Sequence, residues 1–311
     1  MAGGVHVINS YQELARVGLE KVILLALRDM PAQWKSLCRV ASTRQRYAEM
    51  ASIGDFGYAQ VTAEDQAIKF DRLHKGFIKR FTPVMYANGF SITEQAQYTD
   101  IYNQLKNIGP KLALSMLHTK NQAVANIYNN GFSTAYPGPD GAPLFGNNDN
   151  TPGTGHPHAP GVPFGKNRPD VDLTLSPLAL EQALQELRKT KSHRGLPAPV
   201  MGPVYLCVSP DQWAKADRIV GSDRMQGTAD NDMNWVKNKV EVMVNDYFTS
   251  PTAWFLIPRD ISRTEIYCVE RMPMFTKSDY VTERLRHIYV VGEEYATGHV
   301  DYRGVWGTTG N

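Results

Sequence analysis

The sequence predicts an α+β protein, and three observations carry that prediction. Apolar residues step by three or four along a stretch that starts near Tyr98 and ends at Asn129-Asn130-Gly131. Short apolar runs such as VYLCV (204–208) and AWFLI (253–257) have the length and β-branched or aromatic content of buried strands. Helical and strand patterns then mix without a regular βαβ repeat.

The chain has 311 residues, enough for one large or two modest domains with a real core. Its 42% hydrophobic and 21% charged content describes a globular chain rather than a disordered one. A net charge of +2 argues against a dedicated DNA binder, whose affinity rests on many phosphate contacts. Cys38, Cys207 and Cys268 are odd in number, far apart and without CxxC spacing, so they read as buried thiols in a reducing compartment. The longest early apolar run, VILLAL (22–27), is too short to span a bilayer, and no signal peptide is read at the start.

From the N-terminus, Leu14, Val17, Val22 and Leu25 suggest a short amphipathic helix stopped by Pro31. Lys35, Arg39, Arg44 and Arg46 then form a basic stretch with little apolar periodicity. Residues 1–47 are therefore expected to be an arm that needs partners. Residues 48–93 alternate aromatic and charged side chains in IKFDRLHKGFIKRFTPVMY, which predicts a two-stranded excursion. Phe70, Phe77, Phe81 and Tyr86 would line one side of it. An isolated hairpin is marginal in water, so this one should lie on something else.

Thr93, Glu94 and Gln95 open the long helical pattern. Gly109-Pro110 predicts a kink there, or a second helix with Pro110 in its first turn. Asn129, Asn130 and Gly131 should end it through a left-handed cap, with Leu144 and Phe145 pinning the following loop to the core. From Gly146 to Pro169 no period is visible. Ser176-Pro177 and Ser209-Pro210 each predict a capped helix start. Later strands are expected from Lys239, Ala253, Thr264 and Arg284 onward.

No constellation of catalytic residues emerges. His156 and His158 in GTGHPH lack a carboxylate or cysteine set to complete a metal site. GVPFGK (161–166) misses phosphate-loop spacing and puts Asn167 where Ser or Thr is needed. Ser209 lacks a nucleophile elbow, and Pro210 removes an oxyanion donor. Glu293 and Glu294 should point to opposite faces of a strand and sit in solvent. Asp100 and His118 have no evident partner.

The order of parts resembles the major capsid protein of tailed bacteriophages, of the Mu-like major head subunit type. The resemblance rests on the basic segment before the long helix (48–130), NNGF (129–132) with DGAPLF (140–145), VYLCVSPDQW (204–213), TSPTAWFLI (249–257) and HVDYRGVWG (299–307). It covers nearly the whole chain. It implies the Hong Kong 97-type capsid fold: an arm at 1–47, an extended loop at 48–93, a peripheral domain with a spine helix at 94–175 and 263–298, and an axial domain at 176–262 and 299–311.

The implied function is structural, without enzyme activity or cofactor: pentamers and hexamers of an icosahedral head around double-stranded DNA. Contacts between subunits would fall on Lys69, Phe70, Arg72, Lys75, Phe77, Lys79, Arg80 and Phe81. Lys35, Arg39, Arg44 and Arg46 would face packaged DNA, weakly and without sequence preference. Further partners would be a portal, a scaffold or head protease, and a decoration protein, with no membrane; the place would be the virion, and the host cytoplasm during assembly. Some relatives cross-link subunits through a lysine and an asparagine, but the corresponding peripheral turn here, FTKSDYV (275–281), has no asparagine. Two alternatives stand beside this reading: an encapsulin-like shell, and a cytoplasmic enzyme using the 133–170 loop.

Overall fold

A computed structural model describes residues 31–68, 70–71, 75–98, 108–147, 154–160, 162–224, 233–237 and 239–310. The expected helix over 11–29, Asp100, and the first part of the long apolar stripe lie outside them. Ten strands form three sheets among the described residues. One sheet has the order β1 (Arg39–Ser42), β8 (Ile266–Val281), β9 (Arg286–His299), β4 (Val84–Thr93). A second has the order β10 (Trp306–Thr308), β7 (Trp254–Pro258), β5 (Val204–Val208), β6 (Val240–Val244). The third is the antiparallel pair β2 (Ala48–Ile53) and β3 (Lys75–Phe81). The helices are α1 (Glu94–Tyr98), α2 (Ile108–Asn129), α3 (Pro177–Arg188) and α4 (Trp213–Gly221).

Strand periodicity explains the second sheet. Cys207, Phe255 and Ile257 point to one face and join α2 residues Val124, Ala125 and Tyr128 in a core. Val204, Leu206, Val208, Trp254 and Leu256 point to the other and pack on Leu180, Ala183 and Leu187 of α3 and Ala216 and Ile219 of α4. Both faces are covered, so these strands read as unbroken apolar runs. The first core also takes in Ile266, Cys268 and Tyr295 of the first sheet. Helix α2 thus joins the two sheets, and Leu112, Ala113 and Met116 extend the seam along the first sheet to Val291.

Several expectations hold. Ser176 accepts a hydrogen bond from the Ala179 amide at 3.2 Å and Pro177 opens α3. Leu144 and Phe145 are buried in the core. The three cysteines are free and buried.

Other expectations are corrected. Helix α2 does stop at Asn129, but neither Asn130 nor Gly131 takes a left-handed conformation. Glycine is needed at 131 for proximity instead: a Cβ there would lie 2.7 Å from the Phe145 ring. Ser209 is buried and its hydroxyl caps nothing, because the chain first makes a tight 3₁₀ turn (Pro210–Gln212) before α4 begins at Trp213. FTKSDYV is part of the long strand β8. Glu293 and Glu294 are not solvated, since α2 and Arg271 cover the strand on both sides with partners for them.

The expectation of an unpartnered arm fails for its described part. Trp34, Leu37 and Cys38 are buried in the main core, and β1 pairs in parallel with β8. The Tyr128 hydroxyl donates to the Leu37 carbonyl at 2.6 Å, and the Trp34 amide donates to Asn121 at 3.0 Å. Likewise, β4 does not belong to the excursion. It pairs along its whole length with β9, some two hundred residues away in sequence, which no local pattern could reveal.

Candidate assembly surfaces

The hairpin β2–β3 is stitched across its strands by Arg80, whose Nε and Nη2 reach Glu49 Oε1 at 3.0 and 2.7 Å while its guanidinium lies over Tyr47. Between the strands, residues 55–68 and 70–71 make an extended excursion with almost no regular structure. Phe56, Tyr58, Val61, Ile68 and Phe70 all stand exposed on it, Phe70 at 91% and Val61 completely. Five large apolar side chains on one short segment are far from the scattered exposure that a surface normally shows. Asp71 ties the excursion's base by accepting from the Gly57 amide at 2.7 Å and pairing with Arg194.

The sequence-predicted contact residues separate into groups. Lys69 and Arg72 lie outside the described residues, as does the Lys75 side chain. Phe70 is exposed, Phe77 packs edge-on against His193, and Arg80 is exposed with Glu49. Phe81 is not available to a neighbour: it is 2% exposed, packed on Val269 and Val300 and edge-on to Tyr267. Lys79 is half-buried over the Phe81 ring, and its burial holds the amine below the ordinary lysine range. The period-2 alternation that suggested these residues is real, but their inner face covers the chain's own sheet.

The basic set also divides. Arg39 pairs with Glu265 at 3.3 Å and lies over Tyr267. Lys35, Arg44 and Arg46 are exposed.

Sequence reasoning missed two features. One is the exposed group Phe56, Tyr58, Val61 and Ile68. Its signal was apolar residues inside a turn-rich polar stretch, with no period to bury them. The other is Lys120, which occupies the apolar stripe of α2 between Met116 and Val124 at helical spacing. It bonds Glu270 at 2.5 Å and Glu293 at 3.2 Å beneath the Trp34 ring. A lysine on a buried face demands such partners. Burial pulls the Lys120 amine down, but Glu293 and Glu270 outweigh it and leave it raised. Burial likewise raises the Glu293 carboxyl against the pull of Lys120.

His156 and His158 serve packing. His156 stacks on Tyr302 with ring centres 3.7 Å apart and contacts Asp140 at 2.6 Å. Among the described residues no group of three or more His, Cys, Asp or Glu could hold a metal, and no helix is long and apolar enough to cross a membrane.

Known proteins share this arrangement. The capsid of cyanophage P-SCSP1u matches at a TM-score of 0.60, with 10% identity over 88% of this chain and 86% of that one. The mature capsid of bacteriophage PhiM1 matches at 0.58, with 13% identity over 88% and 85%. A virus-like particle from Pyrococcus furiosus matches at 0.54, with 12% identity over 94% and 98%. At such identities the likeness is one of fold. No curated protein matches by sequence. A family model described as phage capsid protein, however, matches residues 78–307. That span takes in both four-stranded sheets, β1 and most of the hairpin apart, and it settles the assignment: the chain belongs to the phage capsid protein family.

Proposed function

We propose that this chain is the major subunit of an icosahedral phage head, that copies of it form pentamers and hexamers, and that the 55–71 excursion is a contact between them. The observation that carries this reading is the exposed apolar set Phe56, Tyr58, Val61, Ile68 and Phe70, held out on the excursion between β2 and β3. Burial of such side chains yields about 1.5–3 kcal/mol each when complete. Each contact need only be modest, because closure of a shell makes later contacts intramolecular. Arg80 stands exposed on the same hairpin and would set register with a neighbour, as would Lys69, Arg72 and Lys75 on the sequence reading, since exposed ion pairs add only roughly 0–1 kcal/mol.

The second sheet with α3 and α4 corresponds to an axial domain (176–262 and 299–311). The first sheet with α2 corresponds to a peripheral domain and its spine helix, drawn from 94–175 and 263–298 with β1 and β4 added. The extended loop is then the hairpin 48–81, while the first thirty residues of the expected arm lie outside the described residues. Lys35, Arg44 and Arg46 are the candidates for weak contact with packaged DNA. A portal, a scaffold or head protease, and a decoration protein are the expected other partners, with assembly in the host cytoplasm before the protein resides in the virion. The phage description of the matching family favours a head over an encapsulin-like shell. An enzyme in the 133–170 loop is disfavoured because the polar atoms of His156, Asp140 and Asn167 are taken up by one another and by nearby backbone groups.

Electron microscopy with sedimentation of the purified chain tests the proposal. Closed shells are expected from the natural sequence, and a small oligomer without shells would refute the head reading. Replacing residues 56–71 by a short Gly-Ser linker should leave folded subunits that do not close. Normal shells from that variant would sink the contact assignment while leaving the head reading intact.

A further inference from the structure

Five segments distant in sequence meet over a cluster of histidines. They are the turn around Asp140, the segment made of residues 156–160 and 162–167, the 190–197 turn, strand β3, and residues 299–303. His156 holds the centre through Asp140 and the Tyr302 ring, and its Nε2 faces Asn167 Oδ1 at 3.3 Å. Asn167 in turn donates to the carbonyls of Leu144 at 2.8 Å and Val305 at 3.2 Å, so the loop and the terminal segment share one polar knot. His158 Nε2 lies 2.9 Å from the Tyr302 hydroxyl, and the His193 ring stands edge-on to it.

His299 is 7% exposed and its Nε2 has no hydrogen-bond partner. Gly138 admits the close approach: a Cβ there would stand 2.8 Å from that nitrogen and 2.7 Å from Asp140 Oδ1. The charges around these rings are unfavourable to a further cation. Lys79 of β3 and His156 face His299, with Asp140 the opposing carboxylate, itself already bonded to His156. Arg303, His193 and His156 face His158, opposed by the Pro163 carbonyl, which makes no well-formed hydrogen bond to Nδ1. Arg303 is further tied to Asp301 and to the Lys191 carbonyl.

We propose that His158 and His299 form an acid-sensitive latch: adding a proton to each sets new positive charge beside Arg303 and Lys79 and frees the segments 138–147 and 154–160 and the hairpin base from residues 299–303. Burial first, then the neighbouring cations, holds His158 down to about 4 and His299 to about 3 in the folded chain. Unfolded imidazoles titrate near 6.5. The folded values are depressed, so the latch contributes its full stability above about pH 6.5 and loses it as pH falls toward those folded values. At neutral pH it is closed.

Hydrogen–deuterium exchange on the purified full chain, from pH 7.5 to 5.0 and corrected for the intrinsic effect of pH, tests the latch. Amides in 138–147, 154–160 and 75–81 should exchange roughly thirtyfold faster in acid, or more where both imidazoles take part, while β5 and β7 keep their protection. His158→Gln combined with His299→Gln should flatten that dependence. Lys79→Met keeps both imidazoles and removes a facing charge, so it should move the acid transition to lower pH even if the double variant does not fold. Protection that is indifferent to pH in the natural sequence overturns the latch. So does an acid transition that Lys79→Met leaves in place.

Discussion

Lys120 Nζ lies 3.2 Å from Glu293 Oε2, with both side chains buried between α2 and β9. The second carboxylate, Glu270, completes a triad on β8. The pair joins the helix to the sheet at the point where Trp34 covers it. Removing one member leaves an uncompensated buried charge. Lys120→Met should therefore cost about 3–5 kcal/mol in denaturant unfolding. Adding Glu293→Gln should recover part of that loss; a double variant as unstable as the single one would show that packing, not charge, dominates the site.

Gly131 marks the tightest approach behind α2. Gly131→Ala would drive a methyl into the Phe145 ring, which is itself held among Phe132, Tyr128 and Phe255. Overpacking of this kind costs about 1–3 kcal/mol. Thermal unfolding should show the loss, and Phe145→Leu in the same chain should lessen it.

Asp172 fastens the terminal segment. It pairs with Arg168 at 2.6 Å and accepts from the Thr308 hydroxyl at 3.0 Å. Burial works to raise its carboxyl, but the bonds from Arg168, Thr309 and Thr308 overcome it and hold it at about 2. The folded value is depressed, so this stabilisation is present above the unfolded value near 3.9 and fades as pH drops toward 2. Asp172→Asn should cost about 2 kcal/mol at pH 7. The gap between variant and natural chain should hold down to about pH 4.5 and then close. A gap that persists unchanged to pH 2.5 would contradict the charge-based account.

Val61 and Phe70 separate folding from assembly. Both are exposed in the single chain, so Val61→Ser with Phe70→Ser should change its unfolding free energy by no more than about 0.5 kcal/mol. The concentration needed for shell assembly should rise roughly tenfold or more, as expected for about 1.4 kcal/mol lost per contact. Light scattering over a concentration series reads this directly, and unchanged assembly would remove these two side chains from the interface.

Local patterns determined the α+β class, the end of α2, the start of α3, the burial of β5 and β7, and the return of Leu144 and Phe145 to the core. Each of these follows from a period of 3.6 or 2, from proline, or from a capping serine, and such forces act over a few residues. Only the tertiary structure decided that β4 leaves the hairpin for β9, that Trp34 and Leu37 are core residues, that Phe81 faces inward, and that Lys120 meets Glu270 and Glu293. The reason is one of sequence distance: these are pairings between segments that lie far apart along the chain, and a side chain's own neighbours carry no record of which remote surface will cover it.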